Sequence, residues 1–184
     1  MQRPHFLSLF LVLLYGITLC GCGLPPDLPP LAEFKITVTK NGAPAEGCFI
    51  TVHSDALPNN YGCYGALDSH GTLSLKTHDL VGKRQYAGAP VGTVKIGIRR
   101  DGNYGMEDPR EATKGMDRDQ SFAYATERSR RMTENETYVP RSLGDPLVSP
   151  IEFEVIVKQS NALTIELDDP KWDVPIDPRR LQRY

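Results

Sequence analysis

Long apolar sequence is scarce: the run Phe6 to Tyr15 is about half the ~20 residues that a mature membrane-spanning helix requires. Net charge is nearly absent too. The 21 Lys and Arg against 23 Asp and Glu leave a formal charge of -2, which gives no global attraction for a polyanion and argues against nucleic acid as a partner. His53, His70 and His78 never stand four apart, so no helix face carries two ligands and no metal site is expected. The acids Asp68, Asp79, Asp168 and Asp169 lack the Asp-rich surroundings of a calcium loop and read as turn residues. Cysteine is scarce beyond the first 22 residues, where only Cys48 and Cys63 occur, and Trp172 is the single tryptophan.

What the chain has in quantity is turn formers. Its 16 glycines and 15 prolines in 184 residues are too many for a helical bundle and suit short strands joined by many turns. With 40% hydrophobic and 24% charged residues, the composition is that of one ordinary globular domain with flanking segments.

The first flank is an address. Arg3 precedes the apolar run in the order of a signal peptide, assigned to residues 1–21. The run closes in Leu19-Cys20-Gly21-Cys22, which resembles the lipobox of bacterial lipoproteins: aliphatic, then small, then the cysteine that becomes the acylated N-terminus. Cys22 is the expected lipidation site and its acyl chains the contact with the membrane. Cys20 fits worse because the bulky Leu19 precedes it; the alternative to cleavage is a retained apolar helix. Residues 22–32, with four prolines between Pro25 and Pro30, read as an extended stalk. Gly23 stands where an Asp often retains such lipoproteins in the inner membrane, so a cell-envelope location at the outer membrane is expected.

Seven segments alternate apolar and polar residues with the period of a strand. Strand A covers Phe34 to Lys40 and strand B Cys48 to His53, with Asn41-Gly42 suggesting a hairpin between them. Strands C (Tyr61 to Leu67) and D (Thr72 to Lys76) flank the turn Asp68-Ser69-His70-Gly71. Strand E is Thr93 to Arg99, and strands F (Ile151 to Val157) and G (Leu163 to Leu167) suggest a second hairpin. Between E and F lies a polar insertion over 101–146, where Arg118 to Glu136 can form a helix but carries no sustained apolar stripe. Arg128, Arg130 and Arg131 form a basic cluster flanked by Glu127, Glu134 and Glu136. It is either a solvated face or a contact for an acidic polymer or partner.

The turn sequence from Lys40 to Val52, with Gly42, Pro44 and Gly47 before strand B, resembles the opening of carboxypeptidase regulatory-like domains. Asp68 to Leu75 is similar to their Asp-x-x-Gly-x-x-x-Leu turn, and Gly88-Ala89-Pro90-Val91-Gly92 to their Gly-Ala-Pro-x-Gly strand entry. Tyr138-Val139-Pro140, leading to Ser149-Pro150-Ile151, resembles the segment before the penultimate strand in small lipoproteins with this domain, although Leu143 replaces the usual tyrosine. The resemblance covers residues 33–168, with 169–184 left as a tail. It implies an all-β fold, a seven-stranded antiparallel Greek-key sandwich of the transthyretin-like kind with a long E–F loop, serving as a non-catalytic accessory module.

Cys48 and Cys63 lie on neighbouring strands and are either a disulfide closing a loop of about 15 residues, contributing roughly 3 kcal/mol, or two separate buried thiols. His53-Ser54-Asp55 holds the residue types of a triad, but sequence neighbours point apart on a strand. The chain also ends Leu181-Gln182-Arg183-Tyr184, without the Tyr-Arg-Gly-Ser ending of transthyretin-like hydroxyisourate hydrolases. Trp172 either covers a sheet edge or, beside Tyr184, forms a sugar-stacking platform. The expected protein is therefore a non-enzymatic, lipid-anchored envelope module without cofactor, contacting protein or polysaccharide. The rival expectation is a hydrolase whose 101–146 loop closes over acids such as Glu107 and Asp108.

Overall fold

The structure, a computed structural model, describes residues 25–173; the segment 1–21 expected to be a signal peptide, Cys22 and Tyr184 lie outside the described residues. Among the described residues strand is the main regular element. In sequence order the elements are β1 (Leu31–Ala32), β2 (Phe34–Lys40), β3 (Ala43–Pro44), β4 (Cys48–His53), β5 (Tyr61–Ala66), β6 (Thr72–Ser74), β7 (Lys76–Asp79), β8 (Gln85–Ala87), β9 (Ala89–Pro90), β10 (Gly92–Arg100), β11 (Glu152–Val155) and β12 (Asn161–Glu166). Two helices, α1 (Pro109–Ala112) and α2 (Arg118–Glu136), occupy the insertion between β10 and β11.

The strands form a six-stranded antiparallel sheet in the order β11-β10-β4-β5-β7-β8 and a second sheet in which β2 pairs with β12, β3 and β6. β1 and β9 make a small pair of their own. Alternation in the sequence accounts for the buried faces: Phe34, Ile36 and Val38 of β2, Ile50 and Val52 of β4, and Val94, Ile96 and Ile98 of β10 all enter one continuous core. Phe34 stacks on Phe153 of the opposite sheet with ring centroids 4.7 Å apart, so the two sheets share that core.

Neither expected hairpin at the chain's ends is present. Strands A and B belong to different sheets, because Ala43–Pro44 folds back on β2 and the buried Ala45, whose N–H donates to Val38 O, turns the chain across the core. F and G are likewise divided: β11 pairs with β10, while β12 runs parallel to β2 with Asn161 opposite Phe34. Strand D is split at Leu75, whose backbone bonds to Phe34 in one direction and Gly88 in the other, so that β6 serves one sheet and β7 the other. An alternating pattern states which face of a strand is buried, not which neighbour it pairs with.

The proline-rich segment is docked along the domain instead of standing off as a stalk. Leu28 is buried, its N–H bonds to Pro25 O, and Leu31–Ala32 pairs with Ala89–Pro90. Gly88 makes this docking possible, since a Cβ there would lie 2.5 Å from Ala32 O.

The registers give the molecule two poles. Cys48, Ala66 and Arg100 end their strands at one, while His53, Tyr61, Asp79 and Gly92 end or begin theirs at the other. Pro30 bonds to Val91 beside Gly92, so the chain enters at the second pole, called here the entry pole. The first is the far pole.

Cys48 and Cys63 are separate buried thiols. Cys63 stands opposite Val52, four residues along β4 from Cys48, a separation of roughly 13 Å that no disulfide spans. Burial raises both thiols above their ordinary value, Cys48 to about 11, lowered in part by Arg100, and Cys63 to about 12, lowered in part by Thr77. A raised folded-state value means that the neutral thiol is favoured, so its contribution to stability is whole below pH 9.0 and is lost as pH rises through about 11 to 12. Alkylation of native protein near neutrality is expected to spare both cysteines, and alkylation after unfolding without reductant to modify both. Peptide mapping that finds them unmodified in the unfolded chain would establish a disulfide instead.

Candidate functional site

The far pole brings together three cations and several aromatic rings. β10 carries two consecutive arginines, and strand alternation sends them to opposite faces. Arg99 is exposed on the outer face of the six-stranded sheet, its guanidinium 5.4 Å from the ring centre of Phe49. Arg100 stands beside Cys48, with its guanidinium 4.5 Å from the Tyr104 ring centre and 4.1 Å from that of Tyr138. Neither arginine has a carboxylate within ion-pair distance among the described residues, and the buried Arg100 Nε has no hydrogen-bond acceptor. Lys40 adds a third cation, donating to Tyr138 O at 2.6 Å and lying 4.3 Å from its ring centre.

Local sequence explains the arrangement. Gly47 has φ +70, in the left-handed region, and a Cβ there would sit 2.2 Å from the Tyr104 ring, so only glycine lets the tyrosine lie against this turn. Burial is the main cause of a raised Tyr138 pKa, which keeps its hydroxyl neutral beside the cations. A cleft of about 450 Å³ opens here, lined by Gly47, Phe49, Ala66, Arg99, Arg100 and Asp101 among others.

From the cleft an aromatic ladder crosses the sheet's outer face. Phe49 of β4 lies 5.6 Å from Tyr64 of β5, and Tyr64 stacks on His78 of β7 at 4.2 Å with the rings 3° from parallel. All three are half-buried. Cations followed by flat faces suit an acidic ligand with stackable rings, because a guanidinium binds carboxylate or phosphate and an aromatic face accepts a sugar ring.

The residues singled out from sequence have other settings. Arg130 and Arg131 are paired with Glu127, and Arg130 also with Glu134. These hydrogen bonds hold Glu127 down to about 2. Arg128 bonds to Glu107 O at 2.9 Å and Asn103 Oδ1 at 2.7 Å, tying α2 to the loop after β10. The cluster therefore spends its donors within the insertion. Helix α2 has the expected bounds, a capping box between Asp117 and Gln120 and no buried residue, in keeping with its missing apolar stripe.

Trp172 packs on the core's edge and donates Nε1–H to Glu166 O at 2.7 Å, while Ser142 Oγ donates to its carbonyl; this is the edge-covering alternative. Ser54 is buried and its Oγ accepts from Ala56 N, so it faces away from the exposed His53–Asp55 pair, 3.2 Å apart, and no relay forms. Asp108 caps α1 and Glu107 borders a smaller cleft of about 250 Å³, where the neighbouring Glu127 is held ionised. No group of three or more His, Cys, Asp or Glu able to hold a metal occurs among the described residues.

Sequence reasoning passed over Phe49, Tyr64, Arg99, Arg100, Tyr104 and Tyr138. One signal was available: Phe49 breaks the alternation of Cys48-Phe49-Ile50 by placing an aromatic where a polar residue belongs.

No protein-family model, curated protein or solved structure matches this chain.

Proposed function

We propose that this protein is an exported, non-catalytic binding module, lipid-anchored through Cys22 in the cell envelope, that holds an acidic glycan at its far pole. The observation that carries the reading is the pair of arginines without carboxylate partners, opening onto the half-buried Phe49-Tyr64-His78 ladder. The near-neutral net charge speaks for a local, not a global, attraction to acid groups.

The proposed architecture is a Greek-key sandwich of the transthyretin-like, carboxypeptidase regulatory-like kind, with β2, β4, β5, β6 with β7, β10, β11 and β12 as its seven strands. It is supported by the division of successive strands between two sheets around one core. The lipobox-like Leu19-Cys20-Gly21-Cys22 supports the anchor, and Gly23 favours the outer membrane.

Retention on immobilised polygalacturonate, compared with a neutral dextran, tests the site. Wild-type protein is expected to be retarded only on the acidic matrix, and Arg99→Ala with Arg100→Ala to weaken binding about tenfold or more, as for lost charge-assisted hydrogen bonds. Equal passage of wild type through both matrices, or unchanged retention of the double variant, would refute the reading.

A further inference from the structure

We infer that the entry pole is a phospholipid-contacting surface, seated on the bilayer by two aliphatic loop tips, Leu80-Val81 and Ile156-Val157. This inference rests on the proposed acylation of Cys22. Single exposed aliphatic residues are ordinary on any protein, so position is what matters. Among the described residues eight large hydrophobics are exposed, and four of them are these: Leu80 at 52%, Val81 at 78%, Ile156 at 44% and Val157 at 46%. Leu80-Val81 forms the turn between β7 and β8, and Ile156-Val157 follows β11. Both turns leave their strands at the entry pole, because Asp79 pairs with Tyr61 and Val155 with Gly92.

Each tip is held by a side chain that accepts from its backbone N–H groups. Asp79 Oδ1 accepts from Val81 N at 3.0 Å and Gly82 N at 2.7 Å, while Asn161 Oδ1 accepts from Ile156 N at 2.9 Å. Each is also followed by cations, Lys83 and Arg84 in the first case and Lys158 in the second, all exposed. Aliphatic groups beside cations match the interfacial zone, where the former enter the acyl boundary and the latter reach phosphates. Of the acids nearby, Asp27 accepts from Asn60 and Tyr61, Asp79 from the turn, and Asp55 pairs with His53, while Glu33 is exposed.

Chain length selects the occupant. Only Gly23 and Leu24 separate Cys22 from Pro25, a reach of about 10 Å at ~3.5 Å per residue. From Pro25 the path to the first tip is short, since Asn60 bonds through its side chain to Asp27 and through its carbonyl to Leu80 N. An acyl chain on Cys22 thus holds this pole against the bilayer and points the far pole, with its cleft, away from it.

The test uses the full acylated protein in vesicles of phosphatidylethanolamine and phosphatidylglycerol containing doxyl-labelled lipid. A polarity-sensitive fluorophore is placed on Val81→Cys, on Val157→Cys, or on Asp101→Cys at the far pole; buried Cys48 and Cys63 do not react in the native state. Labels at 81 and 157 are expected to be quenched several-fold more than the label at 101. Equal quenching at all three sites in acylated protein overturns the docking alone. Labels at 81 and 157 that are dry but insensitive to the quencher lipid point to a second copy of the chain on this pole, and also overturn it. Mass spectrometry of the mature N-terminal peptide reads the anchor separately: an unmodified Cys22 removes that reading, and this inference with it.

Discussion

Replacing Phe34 by alanine is expected to lower the unfolding free energy by about 4 kcal/mol, the middle of the range for a buried aromatic. The side chain is fully buried at the start of β2, and its ring stacks at 17° on Phe153 across the core. Three consequences of the substitution add together. The transfer energy of the ring is lost, a cavity opens where two relatively rigid sheets meet, and Phe153 loses its partner. Phe34→Leu keeps most of the volume and is expected to cost under about 2 kcal/mol. Denaturant melts of the two variants check this. A loss below about 1 kcal/mol for Phe34→Ala would show that the sheets close over the gap and do not share a packed centre.

Asn161→Ala is expected to cost about 3 kcal/mol, or a melting-temperature drop of about 8 °C for a domain of this size, for a different reason. Asn161 is buried, and its amide satisfies the turn that carries the chain from one sheet to the other. Its oxygen accepts from Ile156 N, and its two amide protons are shared among Glu33 O, Ile156 O and Gln159 O at 2.9, 3.0 and 3.2 Å. Alanine leaves these backbone groups short of partners where water has little access. Asn161→Asp is expected to do no better, because a carboxylate keeps the bond to Ile156 N but faces three carbonyls with no proton to offer. Calorimetry distinguishes the outcomes: an aspartate variant as stable as wild type would mean that the carbonyls are hydrated and that the amide is not the clamp.

Asn161 also shows where sequence legibility stops. Its chain neighbours, Gln159 and Ser160, mark a turn, and that much is readable. The turn's partner is Glu33, 128 residues away, and nothing local encodes that distance. The same holds at the far pole. Arg99 and Arg100 are visible as a pair, but that Tyr104 and Tyr138, and no carboxylate, come to lie beside Arg100 depends on other parts of the chain. The cluster of Arg128, Arg130 and Arg131 looked the more basic patch in one dimension. On a helix, however, Glu127 falls within one turn of Arg130 and Arg131, and Glu134 within one turn of Arg130, so the patch neutralises itself.

The sequence by itself determined the β-rich class, the buried face of most strands and the bounds of α2. These depend on alternation, turn chemistry and a missing apolar stripe, all properties of residues within a few positions of one another. Only the tertiary structure decided which strands share a sheet, that the two thiols stand apart, and which cations remain unpaired. Each of those outcomes is a distance between groups far apart in the chain, set by how two apolar sheet faces close on one another.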